Sequence, residues 1–326
     1  MMRQAVLDFP KQFAFEPHIE DSRGSKHYER YIIAGMGGSA LAGALLAGEY
    51  PDMPLTIHRN YGLPYVDDET LKKTLVVAVS YFGNTEETLD SFNSAMNQNI
   101  DVVAISTGGK LLELAREKNM PYIQLPNTNI PPRLALGFMT MALAAALRQH
   151  DAPKQLRHLA STLRAEEYED EGKRLADLLL HKIPAIYASE RNATLAYIWK
   201  ITLNETGKIP AFYNVLPELN HNEMEGFSAA GESANQELAN LLKRFSFILL
   251  QDAEDHLRIR RRMEVLTKML RDRNLRVEEI SLEGASRLFR VFASVVVATW
   301  AAYYLALAYH VDPETTPMIE ELKKTI

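Results

Sequence analysis

The sequence predicts an α/β fold built from two parallel-sheet subdomains flanked by helices. Three observations predict it. Short, nearly continuous apolar runs alternate with helical segments, two of those runs pass straight into turns rich in glycine or hydroxyl groups, and the alternation occurs twice along 326 residues. Apolar runs of this kind suit parallel strands buried on both faces, and their alternation with helices builds a helix-flanked sheet. The length suits two domains of about 150 residues each, divided as 1–150 and 151–326 with the active site expected between them.

In the first half, a strand at 31–34 (YIIA) feeds the turn Gly35-Met36-Gly37-Gly38-Ser39. Further strands are expected at 54–58, 74–80, 101–106 and 122–125, with helices after Ser39, from about residue 86, and at 109–118. A proline-bearing loop at 127–132 precedes an apolar helix over about 133–149. The charged stretch 151–181 reads as an inter-domain connection. A second set then follows: a strand at 184–189, a helix at 193–206, a strand at 245–251, a charged helix and a strand at 276–282. The run at 291–309 (VFASVVVATWAAYYLALAY) is long enough to span a bilayer. Its small and hydroxyl-bearing residues suit instead a helix buried in a dimer, and no membrane association is expected.

Composition narrows the function classes. Hydrophobic residues make up 47% and charged residues 24%, a globular mix, and a net charge of −6 argues against generic nucleic-acid binding. The absence of cysteine excludes a thiol nucleophile, disulfides and Cys-based zinc sites. The opening residues MMRQAVLDFPKQ lack the apolar core of a signal peptide, so a cytoplasmic location is expected.

The turn at 35–39 is an anion-binding device. Glycine lets the backbone approach a ligand, and the following helix start offers unpaired N–H groups. A dinucleotide site uses the same physics but wants an acidic residue at the end of the second strand to hold a ribose. Here that strand ends His58-Arg59-Asn60. Arg59 could meet a 2′-phosphate, so an NADP-dependent reductase stays open at this point. The turn Ser80-Tyr81-Phe82-Gly83-Asn84-Thr85 adds hydroxyls and a second helix start at the same sheet edge. Two such turns suit a phosphate monoester.

Other residues invite chemistry. Glu205 lies late in an apolar helix, whereas the rival carboxylates Glu218, Glu223 and Glu225 share a loop with His221. An imidazole exchanges protons near neutral pH without special tuning. A metal site of His221, Glu223 and Glu225 is a further option, though three loop residues so close in sequence wrap one ion poorly. Arg133 opens an apolar helix, where a cation opposes the helix dipole and needs another partner.

Five segments together carry a resemblance that spans most of the chain: GMGGSALAG at 35–43, SYFGNTEET at 80–88, PPRLALGF at 131–138, LNETGKIPA with PELNHNEMEGF within 203–227, and DPETTPMIEELK at 312–323. The chain resembles the sugar isomerase (SIS) domain superfamily, and within it is similar to the bifunctional phosphoglucose/phosphomannose isomerases. Two departures stand out. Phe82 occupies the place of a second phosphate-donating serine, and Tyr309-His310 replace small residues. The resemblance implies two SIS-type, flavodoxin-like subdomains. It also implies an aldose–ketose isomerase that interconverts glucose 6-phosphate, and mannose 6-phosphate, with fructose 6-phosphate through a cis-enediolate, with neither metal nor cofactor. By the same resemblance Gly37, Gly38, Ser39, Ser80 and Thr85 hold the phosphate. Glu205 shuttles the proton between C1 and C2, and Arg133 stabilises the intermediate. His221 opens the ring, donated across a homodimer interface with Asn220 and Asn222 orienting it. Lys323, with Lys324 as its rival, assists ring opening, and Thr316 lets the substrate rotate about C2–C3. The alternative is a non-catalytic sugar-phosphate-binding SIS protein, which Phe82 keeps open although no DNA-binding module precedes residue 31.

Overall fold

The computed structural model describes residues 1–20, 26–148, 152–230 and 235–325. The chain divides into two compact units, Leu7–Arg164 on one side and Met1–Val6 with Ala165–Ile326 on the other. Helix α1 (Met2–Leu7) opens the chain.

In the Leu7–Arg164 unit, β1 (Arg30–Ala34), β2 (Leu55–His58), β3 (Thr74–Val79), β4 (Asp101–Ser106) and β5 (Tyr122–Gln124) form one parallel sheet in the order β2-β1-β3-β4-β5. That is the flavodoxin-like order the resemblance implies. Every residue of the central β3 is buried. The pairings Ala34↔Ala78 and Val79↔Ile105 bring the ends of β1, β3 and β4 level at one edge. The helices are α2 (Gly37–Glu49), α3 (Asp68–Leu71), α4 (Glu86–Asn97), α5 (Gly109–Glu117), α6 (Leu136–Ala146) and α7 (Ala152–Thr162). Residues Asn99 and Asn119, just beyond α4 and α5, take the left-handed conformation at φ 55° and 52°, which Asn tolerates better than most residues.

The second unit carries β6 (Ile183–Ser189), β7 (Phe212–Leu216), β8 (Phe245–Asp252) and β9 (Arg276–Leu282), all parallel, in the order β7-β6-β8-β9. Around them lie α8 (Glu169–Leu179), α9 (Ala193–Glu205), α10 (Gln236–Leu242), α11 (Leu257–Arg271), α12 (Arg287–Ala308) and α13 (Pro317–Thr325). Tyr187, Leu216, Phe247, Leu249, Met263 and Leu266 pack into its core.

Three expectations change. Strand β7 was not expected; it is an edge strand whose Phe212 and Tyr213 stay exposed, so it lacks a buried apolar run. The charged stretch over 151–181 is no simple connection. It holds α7, which packs on the 3-10 helix Phe9–Ala14 and on α6, and α8, which packs on α12, so the division falls after Arg164 and not at 150. Helix α12 is long and apolar enough to cross a membrane, but 78% of its most apolar window is buried. It packs on α8 and α9 of its own unit. Trp300 Nε1 donates to Ala165 O at 2.8 Å, and Trp199 Nε1 of α9 donates to Ser294 Oγ at 2.9 Å. A helix apolar on most sides is what such a central position requires.

The first residues strap this unit. Arg3 grips Glu169 with two hydrogen bonds of 2.8 and 2.7 Å, and its guanidinium lies 5.9 Å from the Trp300 ring centre. The Arg3 hydrogen bonds hold the Glu169 carboxyl below its ordinary range.

Two outcomes follow from this packing. A Cβ on Gly172 of α8 would lie 2.2 Å from Trp300 Cβ, so Gly172→Ala is expected to lower stability by about 2 kcal/mol. A denaturant midpoint equal to wild type would contradict that contact. Arg3→Ala is expected to lower the melting temperature at neutral pH. Because the Glu169 value is depressed in the folded state, the stabilisation exists above the ordinary carboxylate range and is lost as pH falls through the lowered value. The wild-type and variant melting curves should therefore converge in acid, and a constant gap would refute the pair.

Candidate active site

The β1–α2 and β3–α4 turns meet at the carboxyl edge of the first sheet. Ser39 Oγ, buried in the first turn of α2, accepts from Tyr81 N at 3.3 Å and so joins the two. Ser80, 1% exposed, organises the second turn. Its Oγ accepts from Gly83 N at 3.1 Å and lies 2.8 Å from Thr85 Oγ1. One proton suffices for that hydroxyl pair, which leaves the other for a ligand, as the Ser39 hydroxyl proton is left by a bond in which it only accepts. Neither α2 nor α4 starts with a side-chain cap, so their first amides face the same edge.

The β3–α4 turn is held rigidly from behind. Tyr81 O accepts from Thr107 N at 2.9 Å, Thr107 Oγ1 at 2.8 Å and Ser106 Oγ at 3.1 Å. A Cβ on Gly83 would stand 1.9 Å from Gly108 O, and its φ is 75°, so only glycine allows this approach. Phe82 projects from the turn, 49% exposed, edge-on to the buried Tyr81 ring at 5.0 Å. It offers no donor.

Arg133 belongs to the same group. It sits on the 3-10 turn Pro132–Leu134, short of the α6 start and not in the helix. Gly38 lets that turn come close, since a Cβ there would lie 3.4 Å from Arg133 N and Cα. Sequence reading missed Gln12. Buried at 3% exposure, its amide donates to Leu134 O at 2.6 Å, and its oxygen accepts from Gly137 N and Phe138 N at 3.0 and 3.3 Å. Gln12 thus caps α6 and clamps the turn that presents Arg133; a lone glutamine far away in sequence gives no signal of this.

In the second unit, Glu205 is the last residue of α9 and half-buried. Lys208, also missed, donates to the carbonyls of Glu205 and Thr315 and so pins the end of α9 beside Thr316. Thr316 O in turn accepts from Glu320 N in the first turn of α13 at 3.0 Å. Lys323 and Lys324 lie on α13, which buries none of its described residues. His221 is exposed on the 3-10 turn Glu218–His221 that follows β7.

Two of the rival carboxylates, Glu223 and Glu218, are committed elsewhere. Tyr187 Oη donates to Glu223 Oε1 at 2.6 Å, and Asn214 donates to Oε2. Burial, then the Glu223 carboxylate, push the Tyr187 phenol far above its ordinary range, so it stays a donor. Glu218 accepts from Asn222 at 2.8 Å, and Asn220 accepts from Arg262 at 3.3 Å, so these amides brace the loop and do not orient the His221 ring. Among the described residues no group of three or more His, Asp or Glu could hold a metal ion, which removes the His221, Glu223 and Glu225 option.

The structure therefore gathers Gly37, Gly38, Ser39, Ser80, Thr85 and Arg133 in one place, and Glu205 with Thr316 in another. Glu205 and His221 are not gathered. Helix α9 leaves the carboxyl end of β6 and returns to the start of β7, its 13 residues spanning about 20 Å. Glu205 thus lies at the amino edge of the second sheet and His221 at its carboxyl edge. An open cleft of about 230 Å³ near the ends of β8 and β9, lined in part by Asp252, Arg260, Glu264 and Glu283, contains none of these residues.

Residues 168–326 match the family described as the bacterial phospho-glucose isomerase C-terminal SIS domain. The chain is 33% identical to a bifunctional phosphoglucose/phosphomannose isomerase of Caldicellulosiruptor bescii, an alignment covering 100% of this chain and 98% of that protein. It is 32% identical to the protein of that name from Aquifex aeolicus, covering 99% and 97%. Among solved structures, the fold is shared with a hypothetical protein from Thermus thermophilus, at TM-score 0.69 and 17% identity over 99% of this chain and 86% of the other. It is also shared with a glucosamine-6-phosphate deaminase from Thermotoga maritima, at TM-score 0.68 and 14% identity over 97% of each. Similarity over the full length to proteins of one name, together with the doubled parallel sheet, places this chain in the bifunctional phosphoglucose/phosphomannose isomerase family.

Proposed function

We propose that this protein interconverts glucose 6-phosphate, and mannose 6-phosphate, with fructose 6-phosphate. The observation that carries the reading is the paired turn of the first unit. The buried Ser39 and Ser80 hydroxyls and two uncapped helix starts converge there, with the Arg133 backbone against Gly38, which suits a phosphorylated sugar.

In this reading Gly37, Gly38, Ser39, Ser80 and Thr85 hold the phosphate. His221, assisted by Lys323, moves the ring-oxygen proton and opens the pyranose. Glu205 takes the C2 proton of the open aldose and returns it to C1 of the cis-enediolate. The Arg133 guanidinium opposes the negative charge on the enediolate oxygen. Thr316, beside the end of α9, gives room for rotation about C2–C3, by which two epimers share one intermediate. Glu223 is a poor base because both its oxygens already accept hydrogen bonds. The opposite placement of Glu205 and His221 about the second sheet favours a site that takes them from two copies, and hence a homodimer.

A coupled assay on fructose 6-phosphate tests the base. Glu205→Gln is expected to lose about a thousandfold in kcat while binding the sugar phosphate nearly as well; retained turnover would overturn the assignment. Binding without turnover of any of the three hexose phosphates by the wild type would favour a non-catalytic binder. Mixing Glu205→Gln with His221→Gln tests sharing between copies, because one intact site re-forms in each mixed dimer. Activity should recover to about a quarter of wild type, and no recovery in a verified mixed dimer would place both residues in one copy. Finally, Gly83→Ala should shift the second turn and weaken inorganic phosphate binding at least about tenfold, whereas Gly108→Ala, which meets nothing within 4 Å, should not.

A further inference from the structure

The strand order β7-β6-β8-β9 of the second sheet repeats the order β2-β1-β3-β4 of the first. The turn after β6 therefore corresponds to the turn after β1, and the turn after β8 to the turn after β3. In the first unit these turns present amides and hydroxyls. In the second they present charge. Arg191 lies on the 3-10 turn that leaves β6, Asp252, Glu254 and Asp255 lie at the end of β8, and Arg290 reaches in from the first turn of α12.

Glu254 sits between two of these cations. Its Oε2 stands 2.8 Å from Arg191 Nη2 and 2.7 Å from Arg290 Nη2, so two guanidiniums converge on one carboxylate oxygen. The bond from Arg191 is well aligned. The contact from Arg290 is not: the Nε and Nη2 of this side chain, which is 9% exposed, are buried and make no hydrogen bond of good geometry. Asp252 balances charge from 3.7 and 3.8 Å, beyond hydrogen-bond distance. Glu254 itself is 52% exposed and enters from the solvent side. The buried cation is fixed in place, and the exposed carboxylate is the removable partner.

Two guanidiniums facing one point suit an oxyanion with several oxygens better than a single carboxylate corner, because each can then find an aligned acceptor. The remaining neighbours do not forbid it. Ser189 Oγ donates to Asp255 at 2.7 Å, Arg287 is turned to Arg191 O at 2.8 Å, and burial raises the Asp255 carboxyl above its ordinary range, toward its neutral form. We propose that Arg191 and Arg290 form an anion site at the carboxyl edge of the second sheet, for a phosphate group, which Glu254 plugs when no ligand is present.

Calorimetric titration of the full-length protein with inorganic phosphate tests this. Glu254→Gln removes the competing charge without removing bulk. It is expected to bind phosphate at this site about tenfold more tightly than wild type. Adding Arg191→Ala, at a partly exposed position, should abolish the gain. Ser80→Ala, which dismantles the first-unit turn, should leave it in place, so the result does not depend on whether the isomerase reading is correct. A parallel titration with fructose 6-phosphate shows whether a phosphomonoester enters or only the free ion. Equal phosphate binding by wild type and Glu254→Gln, or a gain that survives Arg191→Ala, would overturn the proposal.

Discussion

In a parallel sheet each strand is followed by a helix that returns along it, so every helix start is delivered to the same edge, the carboxyl edge. The rest of this molecule depends on that constraint. It brings Ser39 and Ser80, 41 positions apart, within reach of one backbone amide, since Tyr81 N donates to Ser39 Oγ. It also forces α9 to end at the opposite edge, which separates Glu205 from His221 although they are close in sequence.

The two units answer the same constraint with different chemistry. In the first, close backbone approach at Gly38 and Gly83 leaves hydroxyls and amides facing outward over a rigid support. In the second, the corresponding turns carry Arg191, Asp252 and Glu254, and the edge is closed by the chain's own charges. One strand order thus carries hydroxyls and amides at one edge and a group of ion pairs at the other. The difference lies in the turn residues, because the strand order is the same.

Support for the candidate residues comes from groups that sequence motifs do not mark. Gln12 caps α6 and fixes the turn of Arg133; Lys208 fixes the end of α9 beside Thr316; Tyr187 and Asn214 hold Glu223 and through it the His221 loop. Each is a polar side chain satisfied by partners distant in sequence or by backbone atoms. Buried polar groups must find such partners, and no local pattern announces them.

By itself the sequence determined the parallel α/β class, eight of the nine strands among the described residues, both glycine- and hydroxyl-bearing turns and the family, because apolar runs, turn chemistry and motif spacing are local properties. Strand β7 escaped because an edge strand with exposed Phe212 and Tyr213 has no buried run to reveal it. Only the tertiary structure decided that α7 and α8 belong to different units, that α12 is a core helix packed on α8 and α9, and that Glu205 and His221 occupy opposite edges of one sheet. Those outcomes depend on which faces bury one another and on the direction in which each connection runs, and both are set by contacts between segments far apart in the chain.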